Sequence, residues 1–444
     1  MNLITPRKRV EILQKALHEK AKAEPSYSFY SLWDKVFRKD VIEEAYRKCK
    51  VNKGASGIDN IDFNDIESEG LEVWLGKLQE ELRSKTYLPM PLLRVWIPKA
   101  NGKDGMRPLG IPTIRDRVVQ MAAVIILSPI FEADLFPNQY GFRPGLDAKL
   151  AIRNIFFHMT KNDRTEIVDG DLKDYFNKIP HGALMKCLSR RIADKAILSL
   201  IKSWLEAPVI ETSKGKKVQT TESKDSHRGT PQGGVCSPLL ANIYFRRFCK
   251  AWEKWVTSKG INAHLVNYAD DFVICCTPGI GKQMMELMRK FMELIGLTVN
   301  EAKTKLVSVK EENFDFLGYT FGKFYSKDGK SYLGTKPSKK AIKKLLKKIH
   351  DETSHRWSYN TNESRIETLN PILRGWCNYF DQGPVLNQYK IIKNYTEKRL
   401  RRLLAFKHKQ RGTGYRQYPD EYLYGKLGLY KLPMRRADMP RAKS

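Results

Sequence analysis

Apolar residues recur every three to four positions in "RVEILQKALHEKAKA" and "DVIEEAYRKCK", so residues 1–50 are expected to be helical. The same period runs strongly through "LEVWLGKLQEELRSK" (71–85), after a Gly/Ser break at "NKGASGID" (52–59). "LLRVWIPKANGKDGMRPLGIP" (92–112) predicts two short strands around a Gly/Lys loop, with prolines at their edges. "RVVQMAAVIILSPIFEADLF" (117–136) is apolar on all sides and predicts a buried helix stopped at Pro129 or shortly after. Residues 167–180 read as a strand entering a helix, 183–207 as helix, and 229–252 as a Gly-rich turn opening a long helix. A hairpin is expected at 264–276, a helix at 281–296 and a strand pair at 314–324. Beyond 337 the pattern turns helical and basic. Ile342, Leu345, Leu346 and Ile349 share one helix face, lysines fill the other, and Ser338 suits the N-cap. Residues 407–444 are less regular and read as a small basic domain or a partly disordered tail.

A length of 444 residues allows two or three domains. The net charge of +30 points to a polyanionic partner, nucleic acid first. The excess is uneven, because residues 322–444 carry 29 basic against 10 acidic side chains. The seven cysteines form no C-x-x-C pair and no His cluster accompanies them, which argues against zinc and for a reducing compartment. No signal-peptide core and no membrane-length apolar stretch is present, so a membrane location is not expected.

"LVNYADDFVICC" (265–276) places Asp270 and Asp271 in the break between two strand-like runs, and "VDGDLKDYF" places Asp171 at the end of another. Any one of these alone reads as an ordinary turn aspartate. Three carboxylates on neighbouring strands repel one another, and divalent cations remove that cost. Mg2+ takes hard oxygen ligands and completes its shell with substrate phosphates. Two such ions about 4 Å apart clamp the attacking and leaving oxygens of an in-line phosphoryl displacement. On a strongly basic chain, this pattern suggests nucleotidyl transfer.

In order along the chain stand "NKGASGID", "IPKANGKDGMRPLGIP", "RDRVVQMAAVIILSPIFEADLFPNQYGFRPG", "VDGDLKDYF", "GTPQGGVCSPLLANIYF", "YADD", "GLTVNEAKTKL", "FLGYTF" and "LNPILRGWCNYF". In these blocks, over about residues 50–380, the chain resembles a group II intron-encoded reverse transcriptase-maturase, with a further echo in "YLYGKLGLYKLP". The resemblance implies an α+β right-hand polymerase. Its fingers and palm (51–325) would surround an antiparallel palm sheet, after an N-terminal helical extension (1–50). An α-helical thumb/maturase domain (326–406) and a small basic DNA-binding region (407–444) would follow.

The family implies roles residue by residue. Asp171 and Asp270 would ligate two Mg2+ ions, with Asp271 completing the acidic group less directly. Gln232 and Gly233, within "PQGG", would form the turn beside the incoming dNTP. Phe176 matches the aromatic gate that excludes a ribonucleotide 2′-hydroxyl, with Tyr175 as the alternative one residue earlier. Lys99 and Arg107 match finger residues that hold the triphosphate. Their spacing is about two residues longer than the usual pattern, which leaves Lys103 as a sharer of that role. Lys303 matches a lysine near the pyrophosphate. Arg115, Arg117 and Arg143 are candidates for template or nucleotide contact, or solvated arginines. Lys343, Lys344, Lys347 and Lys348 would bind RNA phosphates, whereas Trp376, Tyr379 and Phe380 are expected in the core.

The implied partners are intron RNA, an RNA template with its DNA primer, target DNA and dNTPs, in a bacterial cytoplasm or an organelle. Many relatives end in an endonuclease with paired cysteines and histidines, which this sequence lacks. A primer made elsewhere is therefore expected, such as a nascent strand at a replication fork. The rival readings are a domesticated or defence-associated reverse transcriptase without an intron, and a maturase that only binds RNA. Intact YADD and Asp171 argue against the second.

Overall fold

The computed structural model describes residues 5–98, 105–213, 216–326 and 328–434. The chain begins with helices α1 (Pro6–Ala23), α2 (Trp33–Val36), α3 (Lys39–Val51), α4 (Phe63–Glu69) and α5 (Leu71–Arg83). Strands β1 (Leu92–Pro98) and β2 (Met106–Ile111) lead to α6 (Ile114–Glu132) and α7 (Ala148–Lys161). Next come β3 (Glu166–Asp171), α8 (Tyr175–Lys178), α9 (His181–Ser189), α10 (Lys195–Leu205), β4 (Val209–Ser213), β5 (Lys216–Thr220) and α11 (Glu222–Asp225). The long α12 (Ser237–Lys259) precedes the hairpin β6 (Ala263–Tyr268) and β7 (Asp271–Cys276), then α13 (Gly281–Leu294) and β8 (Lys305–Ser308). Finally come β9 (Phe314–Phe316), β10 (Tyr319–Tyr325), β11 (Ser331–Pro337), α14 (Lys339–Glu352), α15 (Asn362–Tyr379) and α16 (Leu386–Lys407).

The strands form three sheets, ordered β2-β1-β4-β5, β6-β7-β3-β8 and β11-β10-β9. Two compact units divide the chain. One holds residues 1–147, 170–274 and 282–305; the other holds 148–169, 275–281 and 306–444.

In the first unit α6 is buried on nearly every side, as its apolar sequence requires. It passes Pro129 and stops shortly after, at Glu132, as expected. A proline removes the N–H that would bond the carbonyl four residues back. Here Ile125 O instead accepts from Gln14 Nε2 of α1 at 2.9 Å, so the freed acceptor is satisfied by a neighbouring helix. In the β2-β1-β4-β5 sheet, β1 pairs antiparallel with β2 and parallel with β4. The β4–β5 hairpin was not expected from its polar sequence.

In the second unit α14, α15 and α16 share a core containing Leu345, Ile349, Leu369, Leu373, Tyr389 and Leu404. Tyr418, Leu423, Leu429 and Leu432 belong to the same cluster. The described part of 407–444 therefore shares the core of these helices. Burial of each such leucine contributes about 1.5–3 kcal/mol, enough to hold the segment down. Phe380 is buried and Trp376 packs against the cluster. Helix α7 and strand β11, also in this unit, had no sequence expectation. No helix among the described residues is long and apolar enough to cross a membrane.

Candidate active site

Asp171 ends β3 and is tied down on three sides. Its N–H donates to Thr304 Oγ1 at 3.2 Å, and its carbonyl accepts the Asn300 N–H at 2.8 Å. Its carboxylate accepts from Asn300 Nδ2 at 2.8 Å and from Lys303 Nζ at 3.2 Å. Lys303 is largely exposed, its side chain 61% accessible against 28% for Asp171. Charge-assisted bonds of this kind hold a carboxylate in one orientation while leaving its edge open.

The β6–β7 turn is fixed by different means. Ala269 sits in the left-handed region at φ 60°, uncommon for a residue with a Cβ. Asn267, fully buried, donates from Nδ2 to Ala269 O at 2.8 Å and to Asp271 O at 3.3 Å. Its backbone is clamped by Asn138 O and the Tyr140 N–H. Gly141 allows the approach, since a Cβ there would lie 2.4 Å from Ala269 N. The turn that carries the two aspartates is thus a built support rather than a loose loop.

β3 and β7 are neighbours in their sheet. A Cβ on Gly170 would lie 2.3 Å from the Phe272 ring, so the ends that carry Asp171 and Asp270 stand side by side. Asp270 is half-buried and Asp271 exposed. Among the described residues no three carboxylate, thiol or imidazole groups converge as an ion cage. A hard-oxygen donor set of one or two carboxylates still suits Mg2+, which keeps waters and substrate phosphates in its shell.

Tyr175 and Phe176 separate clearly. Tyr175 is core: its hydroxyl donates to Ala241 O at 2.7 Å and its ring meets Phe245 edge-on. Burial pushes its phenol well above the ordinary value. Phe176 is half-buried, and its carbonyl accepts the Thr230 N–H at 2.7 Å, linking it to the 229–234 turn. That turn is held to β2 by the Gly110 N–H, which donates to Gln232 O at 2.7 Å. Gly233 has φ 112°, and a Cβ there would lie 2.6 Å from Gly110 O. The glycine is thus required by the chain's own strand, a reason the sequence did not display. Gln120, buried on α6, accepts the Val235 N–H at 2.8 Å and steadies the entry to α12.

Arg107 is exposed on β2 opposite Ile97, whereas Lys99 and Lys103 lie outside the described residues. The other arginines serve structure. Arg115 bonds Leu88 O and the Glu81 carboxylate, and Arg117 bonds Pro112 O and Ala55 O. Arg143 bonds Glu132, Phe136 O and Gln139 O. Lys343, Lys344, Lys347 and Lys348 are all exposed on α14 above buried Leu345 and Ile349. Sequence reasoning missed Asn300, Thr304 and Asn267, whose types are common in loops; only their spacing to Lys303 and Asp270 hinted at them.

Residues 97–321 match the model of the family "Reverse transcriptase (RNA-dependent DNA polymerase)", and residues 342–419 match "Group II intron, maturase-specific domain". Protein YkfC of Escherichia coli is 32% identical over 365 residues, 74% of this chain and 93% of that protein. The group II intron-encoded protein LtrA of Lactococcus lactis is 35% identical over 222 residues, 50% of this chain and 35% of LtrA. A solved telomerase from Candida albicans aligns with a TM-score of 0.42 at 15% identity, covering 80% of this chain and 67% of that one. The chain belongs to the reverse transcriptase (RNA-dependent DNA polymerase) family and carries a group II intron maturase-specific domain.

Proposed function

We propose that this RNA-directed DNA polymerase is encoded by a group II intron, binds that intron's RNA to assist splicing and copies it during retrohoming. The observation that carries the catalytic part is the pair of aspartates on adjoining strand ends, with Lys303 and Asn300 against Asp171. Asp171 and Asp270 would hold two Mg2+ ions, which would supply Lewis acidity for the primer 3′-hydroxyl and charge neutralisation for the leaving pyrophosphate. Asn300 keeps the Asp171 carboxylate turned outward. Lys303, exposed on a long stem, would leave Asp171 for the pyrophosphate and supply it a proton. Phe176 would exclude the ribose 2′-hydroxyl, offering it neither room nor partner. Gln232 and Gly233 would flank the incoming nucleotide, while Arg107, with Lys99, would hold its triphosphate. The exposed lysines of α14 would take intron RNA phosphates. The action would lie in a bacterial cytoplasm, on a primer supplied by target DNA. Primer extension on an RNA template, with and without group II intron RNA as competitor, tests both halves. Synthesis that the intron RNA suppresses at nanomolar concentration supports the reading. Synthesis indifferent to intron RNA, with no help to splicing, removes the intron.

A further inference from the structure

Away from the aspartates, helices α9 and α12 pack together beside a cavity of about 270 Å3. Five cationic side chains line it: Arg190, Arg191, Arg246, Arg247 and Lys250. One carboxylate, Asp134, also lines it. That carboxylate is already engaged, its Oδ2 3.3 Å from Arg191 Nε. Arg191 is otherwise consumed by backbone, its two terminal nitrogens donating to the carbonyls of Ala21, Glu24, Pro25 and Tyr27. Arg246 donates to the Asp134 carbonyl.

Arg190, Arg247 and Lys250 remain. Arg247 donates to the Tyr244 hydroxyl at 3.1 Å. None of the three has a carboxylate within ion-pair distance among the described residues. Arg190 and Lys250 are exposed and Arg247 is half-buried, so they ring the mouth of the cavity. Burial pushes the Cys187 thiol up, and the neighbouring charges of Arg247, Arg190 and Arg246 pull it back. Three uncompensated cations around one concavity repel each other, and an anion that enters relieves all three at once. A cavity of this size has room for several waters at roughly 30 Å3 each, hence for a phosphate with its hydration.

We propose that Arg190, Arg247 and Lys250 seat a backbone phosphodiester of a folded RNA at this cavity, a binding site sharing no residue with the aspartate group or with α14. The geometry supplies the anion; the choice of RNA rests on the maturase reading above. A bound RNA would thus be gripped on the polymerase unit as well as through the maturase-specific domain.

The test is a salt titration of binding to two probes, a folded group II intron transcript and a DNA duplex of equal charge. It compares wild type with Arg190→Gln/Arg247→Gln/Lys250→Gln. Glutamine keeps helix propensity, and the double variant Arg190→Gln/Lys250→Gln, altering only exposed side chains, covers the case in which removing the Arg247–Tyr244 hydrogen bond unfolds the protein. For the transcript, the slope of log affinity against log salt should become shallower by roughly 0.7–0.9 for each phosphate no longer neutralised, with affinity down about tenfold near 0.1 M salt. An unchanged slope and affinity in both variants overturns the site. A slope that changes for duplex DNA alone overturns RNA as the ligand. Equal weakening on an unrelated folded RNA keeps the phosphate site and counts against the intron reading instead.

Discussion

Gly233→Ala asks whether the turn beside the aspartates is shaped by the chain's own β2. The φ of 112° is one that L side chains rarely adopt, a strain of about 1–3 kcal/mol. The added Cβ would also lie 2.6 Å from Gly110 O and 3.3 Å from Leu109 Cγ. Gly110 is backbone in a strand paired along its length, so the turn must give. What it gives up is the 2.7 Å bond from the Gly110 N–H to Gln232 O, worth about 0.5–1.5 kcal/mol. The total is on the order of 2–4 kcal/mol, a fall of several degrees in melting temperature for a chain this long. Activity should fall further, because moving a positioning turn by about 1 Å costs on the order of a hundredfold. Gly234→Ala is the control. Its Cβ would lie 2.8 Å from Ser237 Oγ, a side-chain atom that can rotate away, giving up the 2.7 Å bond to Pro231 O. The assay is steady-state primer extension on an RNA template, with thermal melting alongside. Wild-type kcat/KM in Gly233→Ala, or a loss no larger than in Gly234→Ala, refutes the reasoning.

Phe176→Val should raise ribonucleotide over deoxyribonucleotide incorporation, whereas Tyr175→Val should lower the melting temperature and leave that ratio alone; a rise in the Tyr175 variant instead moves the gate one residue earlier. Replacing Lys343, Lys344, Lys347 and Lys348 together by Gln should flatten the salt dependence of RNA binding by roughly 0.7–0.9 for each phosphate these lysines neutralise, and an unchanged slope places the RNA site elsewhere. Burial, with Arg164 beside it, pulls His158 from 6.5 down to about 4, so the unfolded chain binds its proton first. Stability should therefore fall as pH drops from about 6.5 towards 4, and His158→Gln should remove that slope in a pH series of denaturant melts.

The elements legible in the sequence were those with a strong period or a hard stop. The all-apolar α6, the "YADD" hairpin and the one-faced α14 declared themselves, because burial on a helix or strand imposes its own spacing. How α6 tolerates Pro129 was not legible, because Gln14, over a hundred residues away, supplies the donor for the carbonyl that Pro129 frees. The β4–β5 hairpin was not legible, since a polar edge lacks alternation. The aspartates stood out by type and place, but Asn300 and Asn267, which hold them, are ordinary loop residues until their partners are known. Conversely, Arg115, Arg117 and Arg143 looked available in a basic chain, and only folding reveals that each guanidinium is spent on carboxylates and carbonyls of its own unit.

The most direct test of the central claim is primer extension by Asp171→Ala and Asp270→Ala on an RNA template with Mg2+, run beside RNA binding by the same preparations. The account predicts DNA synthesis below a few per cent of wild type in each variant, with RNA affinity within about twofold, since the phosphate contacts lie on lysines and arginines. Substantial synthesis by either variant, with its fold intact by melting, would contradict the assignment of these aspartates as the ion-holding pair.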